Sequence, residues 1–242
     1  MRPGVPPART FVTGIGVMTP IGCTLEEYWN ALLEGESGIA PLPGGPGLAV
    51  RVAGQISEPV SYAVPSRVAV QTDRWTHLAM TAAVAALADA GIRLEEHSAY
   101  DLSVHTASSS GGNEFGQREI QALWAEGPDL VGPYQSIAWF YAATTGQLSI
   151  RHGMKGWSGV LVAEQAGGLD AFAQARRALR QGSRAVLTGA TEAPLSPYAL
   201  TCQLASGQVS TRDDPRRAYR PFRSDASGFV PGEGGAVLVV EP

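Results

Sequence analysis

The run over residues 159–181 constrains this chain more than any other stretch: GVLVA, then Glu164-Gln165, then AGGLDAFAQARRALRQ. Its first five residues (159–163) read as a short buried strand. From residue 166 onward, small and apolar positions recur at helical spacing. Asp170 stands near the start of this segment, and Arg176, Arg177 and Arg180 near its end, each where the helix dipole favours that sign of charge. Gly182 is the stop signal. A strand that turns into a helix within two residues is a building unit of α/β domains, and alone it would leave both strand edges unpaired. The remaining chain must therefore supply further strands and helices.

Residues 10–16 (TFVTGIG), 102–107, 185–190 and 235–240 read as those strands. Thr24 opens TLEE, with Glu27 three residues on, the pattern of a capping box. The helix that follows carries an apolar stripe of Leu25, Tyr28, Leu32 and Leu33, and Gly35 can end it. Asp73 is placed to cap a helix running to about Ala90. One side of that helix is Ala79, Ala82, Ala83 and Ala86, which predicts close packing, and Gly91 closes it. A tight small-residue loop, SSSGG over 108–112, precedes a shorter helix over 114–125. Residues 41–47 (PLPGGPG) hold too many breakers for anything but a loop. Strands separated by helices predict an α/β fold, with a mostly parallel or mixed sheet covered by helices on both faces. The 242 residues, 44% of them apolar, suffice for a sizeable core. The last strand runs up to Glu241-Pro242, with no later element to cover one face. A second layer is therefore expected from another chain or from further polypeptide.

Charge and cysteine usage exclude several function classes. The formal net charge is −4, whereas nucleic-acid and anionic-membrane surfaces need a basic excess. No apolar run approaches the roughly 18 residues of a membrane span. Residues 1–9 are proline-rich and carry no apolar secretory core. Cys23 and Cys202 form neither a C-x-x-C pair nor a metal-ligand spacing, so a reducing cytoplasm and no metal are expected.

The strand–bend–helix run aims one side chain from a helix N-terminus into a cleft, where α/β enzymes place a nucleophile. The residue at that bend is Gln165. A primary amide is neutral, weakly nucleophilic and has no pKa that a neighbour can tune, although it donates two hydrogen bonds and accepts two. The geometry suits covalent catalysis and the side chain forbids it. The alternative is an ordinary helix start, with Gln165 satisfying a neighbour and Gly167-Gly168 allowing close packing.

Other motifs are weaker. Gly14-Ile15-Gly16 invites a dinucleotide reading, but the third glycine position holds Thr19, followed by Pro20, and a tight strand exit is the plainer reading. His77 on a helix, His97 in a polar turn, His105 in mid-strand and His152 in a glycine-flanked loop stand in no frame that pairs them with a nucleophile. Ser108, Ser109 and Ser110 lack the G-x-S-x-G frame. Glu233, within PGEGG, suits a structural turn ahead of the last strand.

FVTGIGVMTPIG near the start, VAEQAGGLDA in the middle and FVPGEGGAVLVVE at the end resemble, in the right order and over essentially the whole chain, a β-ketoacyl synthase of the thiolase fold. The runs EFGQRE, SIAWFYAATTGQLSIRHGMKG, QLASGQVST and DDPRRAYRPF narrow the resemblance to the chain length factor, the ketosynthase β-subunit of type II aromatic polyketide synthases. An active ketosynthase of the family has its acyl-accepting Cys where this chain has Gln165, and chain length factors typically carry Gln there. The resemblance implies a subunit that holds no acyl thioester and needs no cofactor. It also implies a heterodimer with a ketosynthase α-subunit, which condenses malonyl units from acyl carrier protein while this chain shapes the tunnel for the poly-β-keto product. The thiolase fold has two similar halves, and the catalytic histidines of active members lie in the second. Residues 1–242 match the first half, so the C-terminal half is expected outside this chain.

In the family, residues on the helix after SSSGG block or extend the tunnel floor. The matching positions are Asn113, Gly116 and Ile120, spaced to share one helix face, with Tyr198 nearby from a later loop. Related members carry Phe or Trp at some of these positions. Gly116 adds no side chain and Ile120 is smaller than Phe, which implies a roomy tunnel and a product toward the long end of the family range. Two roles stay open for Gln165: assisting malonyl decarboxylation, or filling the dead site. A pure scaffold without influence on product length is the competing reading. An autonomous condensing enzyme is a further one, which Gln165 argues against. Cys202 lies beyond the bend with no matching helix start.

Overall fold

The computed structural model describes residues 9–43, 48–57 and 64–242, so the proline-rich start and residues 44–47 of the expected loop lie outside the described residues. In chain order these residues form β1 (Phe11–Met18), α1 (Leu25–Glu34), β2 (Ile39–Pro41), β3 (Val52–Gly54), α2 (Ser66–Ala69), α3 (Arg74–Ala90), β4 (Leu102–Ala107), α4 (Asn113–Ala125), α5 (Gln135–Ala138), α6 (Ala143–His152), β5 (Gly159–Leu161), α7 (Gly167–Arg180), β6 (Ala185–Glu192), α8 (Pro197–Leu204), α9 (Pro215–Ala218) and β7 (Gly234–Glu241). The helix boundaries follow the local chemistry. The Thr24 side chain accepts the Glu27 amide at 3.2 Å while Glu27 accepts the Thr24 amide at 3.0 Å, and Gly35 closes α1 at φ 71°. Asp73 accepts the Trp75 amide to open α3, and Gly91 ends it at φ 63°.

The main sheet has the order β1-β7-β6-β4-β5. β7 lies between β1 and β6 and is antiparallel to both, whereas β4 pairs in parallel with β6 and with β5. The sheet is thus mixed, with two of its four pairings parallel. A parallel partner after β6 would need a helix crossing the sheet face. The connection instead passes through α8, which packs on α4, and the chain re-enters antiparallel. A small β2–β3 ribbon, not expected from the sequence, begins where the breaker-rich run starts, so Pro41 ends a strand rather than opening a loop.

Alternation along the strands separates two faces. Leu187, Val104, Val237 and Val239 pack with Leu78, Ala79, Ala82, Ala83 and Ala86 of α3. Val186, one residue from Leu187, faces Ala175 and Ala178 of α7 instead. Helices therefore cover the sheet from both sides. The glycines of β1 lie inside the strand, not at its exit. A Cβ on Gly14 would stand 2.1 Å from the Ala86 carbonyl oxygen, and one on Gly16 would stand 1.9 Å from that of Ala82. The alanine side of α3 and the glycines of β1 are thus one close-packed contact. The stripe of α1 is less buried than its pattern predicts: Leu25, Leu32 and Leu33 are exposed, and Ala31 is the residue of that helix that reaches the core. Among the described residues, no helix is long and apolar enough to cross a membrane.

Candidate functional site

The bend at the end of β5 is sharper than the sequence suggests. Strand pairing stops at Leu161, because Ala163 (φ −142°, ψ 29°) and Glu164 (φ 42°) turn the chain. Glu164, immediately before Gln165, carries a left-handed backbone that few residues other than glycine adopt. One 3₁₀ turn, Glu164–Ala166, then feeds α7. Gly167 lets that helix approach β4, since a Cβ there would lie 3.1 Å from the Ala107 Cβ. Gly168 has room for one. Gln165 is exposed, and its amide makes no hydrogen bond among the described residues, so it is not satisfying a neighbour.

Gln165 lines a cavity of about 630 Å³, together with Ser109, Asn113, Trp139, Glu192 and Tyr198. Cys202 also reaches this cavity, from α8. Glu192 ends β6 and accepts the amides of Ser109 and Ser110 (the latter at 3.2 Å), so it fixes the loop that leads into α4. Burial pushes its carboxyl above the ordinary range, and these bonds pull the other way. Tyr198 is tied to α4 by its amide, which donates to Gln117 Oε1 at 2.8 Å. Its phenol is raised by the bond to the Cys202 thiol one turn along α8.

A second cavity, about 150 Å³, is lined by Asn113, Gly116, Ile120 and Tyr198, with Gln135 and Trp139. The four tunnel candidates thus meet at one small space. The Asn113 amide is held by the Ser110 carbonyl at 2.9 Å and the Ser110 hydroxyl at 2.8 Å. The room at Gly116, however, is not free. A Cβ there would lie 3.2 Å from Trp139 Cδ1 and 3.4 Å from Gln135 Nε2, because the Trp139 indole sits over the glycine.

No histidine lines the Gln165 cavity. His77 shares a hydrogen with the Thr72 hydroxyl at 2.9 Å. His105 is buried edge-on to Trp157 at 4.8 Å. His97 follows the 3₁₀ turn Leu94–Glu96. His152 is the last residue of α6, not part of a loop, because the helix continues to the left-handed Gly153. Burial lowers the pKa of His77, His105 and His152. Glu233 is buried, accepts both Arg74 Nε and the Arg74 guanidinium tip at 2.6 and 2.7 Å, and takes the Ile56 amide at 2.9 Å. It anchors the turn before β7 to the start of α3, as a structural role predicts.

Sequence reasoning missed Glu192 and Trp139 and set Cys202 apart. For Glu192 a signal existed, since an acid closing a strand that pairs in parallel sits where α/β sheets place ligands.

The family model described as Beta-ketoacyl synthase, N-terminal domain, matches residues 8–242. The chain is 52% identical over 239 residues to the tetracenomycin polyketide synthase ketoacyl synthase beta subunit of Streptomyces glaucescens, covering 97% of this chain and 58% of that protein. Among solved structures, a β-ketoacyl synthase from Burkholderia phymatum superposes with a TM-score of 0.85 at 28% identity, over 96% of this chain and 59% of that one. The ishigamide ketosynthase/chain length factor shares the fold at TM-score 0.80 and 21% identity, over 96% and 58%. The chain therefore spans a little under three fifths of the length of each of these relatives. With that model matching residues 8–242, the chain belongs to the β-ketoacyl synthase N-terminal domain family.

Proposed function

We propose that this chain is the non-acylating β-subunit of a type II polyketide β-ketoacyl synthase. It pairs with a ketosynthase α-subunit and shapes the space in which malonyl units from acyl carrier protein become a poly-β-keto chain of defined length. In this reading the described fold is the N-terminal half of a thiolase-like unit, and polypeptide outside these 242 residues supplies the other half. Gln165 carries the reading. The elbow has the backbone of a nucleophile site, with a strained residue, a helix start and an adjoining cavity, yet the side chain it presents cannot form a thioester. The name of the Streptomyces glaucescens relative, a ketoacyl synthase beta subunit, supports the same assignment.

Two measurements test it. The complex is incubated with malonyl-loaded carrier protein and both subunits are weighed intact: acyl mass belongs on the partner, and an acyl adduct on this chain would sink the reading. The chain is then co-expressed with two ketosynthase partners of different native product length. Product length that follows this chain supports a determinant of length, whereas length that follows the partner reduces it to a scaffold.

A further inference from the structure

We infer that Trp139 is the specificity-determining partition between the two cavities, and that its indole sets where the growing chain stops; this rests on the reading above. Three residues line both spaces: Asn113, Tyr198 and Trp139. Asn113 is fixed by its two side-chain bonds to Ser110, and the backbone of Tyr198 is tied to Gln117. The backbone of Trp139 is clamped as well. Its carbonyl accepts the Gly112 amide at 3.2 Å, and a Cβ on Gly111 would come within 2.6 Å of that oxygen. The Trp139 indole differs. It is 46% exposed, makes no hydrogen bond among the described residues, and rests on the bare backbone of Gly116. Packing alone holds this ring between the two spaces.

On this inference the acyl chain, held by the partner's thioester, enters the larger space and meets this ring before it reaches the 150 Å³ space behind it. A cavity of that size takes a benzene-sized group, about six carbons or about three two-carbon units. Removal of the ring joins the two spaces. The inference also changes the meaning of Gly116. Its missing side chain seats the tryptophan rather than lengthening the tunnel, so substitutions there act through Trp139.

The test uses the complex with its ketosynthase partner, product lengths being read by mass spectrometry. Trp139→Ala and Trp139→Leu are expected to shift the main product upward by one to about three two-carbon units. Gly116→Ala, whose added methyl meets the indole at 3.2 Å, is expected to push the ring into the larger cavity and shorten the product. Exchange of the whole subunit for a relative of different product length runs in parallel. If the exchange moves product length and the Trp139 variants leave it unchanged in an active complex, the partition is wrong and the subunit's role stands. If the exchange moves nothing, the underlying reading fails and the partition with it. If neither Trp139 variant assembles, Gly116→Ala decides, and an unchanged length overturns the inference.

Discussion

Asp73 holds two helices at once. One carboxylate oxygen accepts the Trp75 amide at 3.2 Å, opening α3, and the other accepts the Phe115 amide at 2.7 Å in the first turn of α4. The side chain is buried, and that burial raises its pKa from 3.8 to about 6 against the pull of both bonds. The folded state therefore binds this proton more tightly than the unfolded chain. The associated stability is fully present below pH 3.8 and is lost as pH rises through about 6. A shift of this size corresponds to about 3 kcal/mol over the full window, of which about 2 kcal/mol falls between pH 4 and pH 7. Asp73→Asn is neutral at every pH and keeps one acceptor, so it mimics the protonated form. Urea unfolding of both proteins at several pH values, with the difference taken at each, cancels every other titrating group to first order. The difference should move toward the Asn variant by about 2 kcal/mol from pH 4 to pH 7. A constant difference would mean that burial and hydrogen bonding balance. A drift toward Asp as pH rises would mean that the two amide bonds outweigh burial, and the reasoning would be refuted.

Arg74→Ala leaves the Glu233 carboxylate buried without its cation and should cost about 3 kcal/mol, read as a lower urea midpoint; Glu233→Gln in the same background should recover part of it, because the uncompensated charge is then gone. Gly16→Ala puts a methyl 1.9 Å from the Ala82 carbonyl oxygen, so soluble protein should be lost or strongly destabilised, and a well-folded variant would show that α3 can back away from β1. Gln165→Ala should leave assembly and starter formation intact if the amide only fills the dead site; a selective loss of malonyl decarboxylation, with normal elongation from a supplied starter, would assign it to priming instead.

What was legible in the sequence was mostly local. Thr24 with Glu27, Asp73, Gly35 and Gly91 act within a few residues of themselves, and the helices they bound start and stop where the pattern says. The strand–bend–helix at Gln165 was equally readable, since its parts are contiguous. The mixed pairing of the sheet was not, because the position of β7 between β1 and β6 depends on where α8 finds a surface, and α8 packs on α4. Glu192 was missed for a related reason. It stands some eighty residues from the serines whose amides it binds, and nothing near it in the chain announces that loop. Cys202 seemed remote from the bend in sequence, yet the fold brings α8 across the same cavity.

The glycines make the division sharpest. Gly14 and Gly16 look like a strand exit and Gly116 looks like open tunnel, because a missing side chain is naturally read as space. In a close-packed interior such space is taken by whatever else can reach it. At β1 the taker is the backbone of α3, and the matching alanines at Ala82 and Ala86 make the contact recoverable from sequence once the two elements are assigned to each other. At Gly116 the taker is a tryptophan from a different segment, and no periodicity on α4 points to it. Room inside such a fold is thus a property of pairs of residues. Arguments from the size of one side chain hold only where its cross-packing partner is also known, and Trp139 is that partner here.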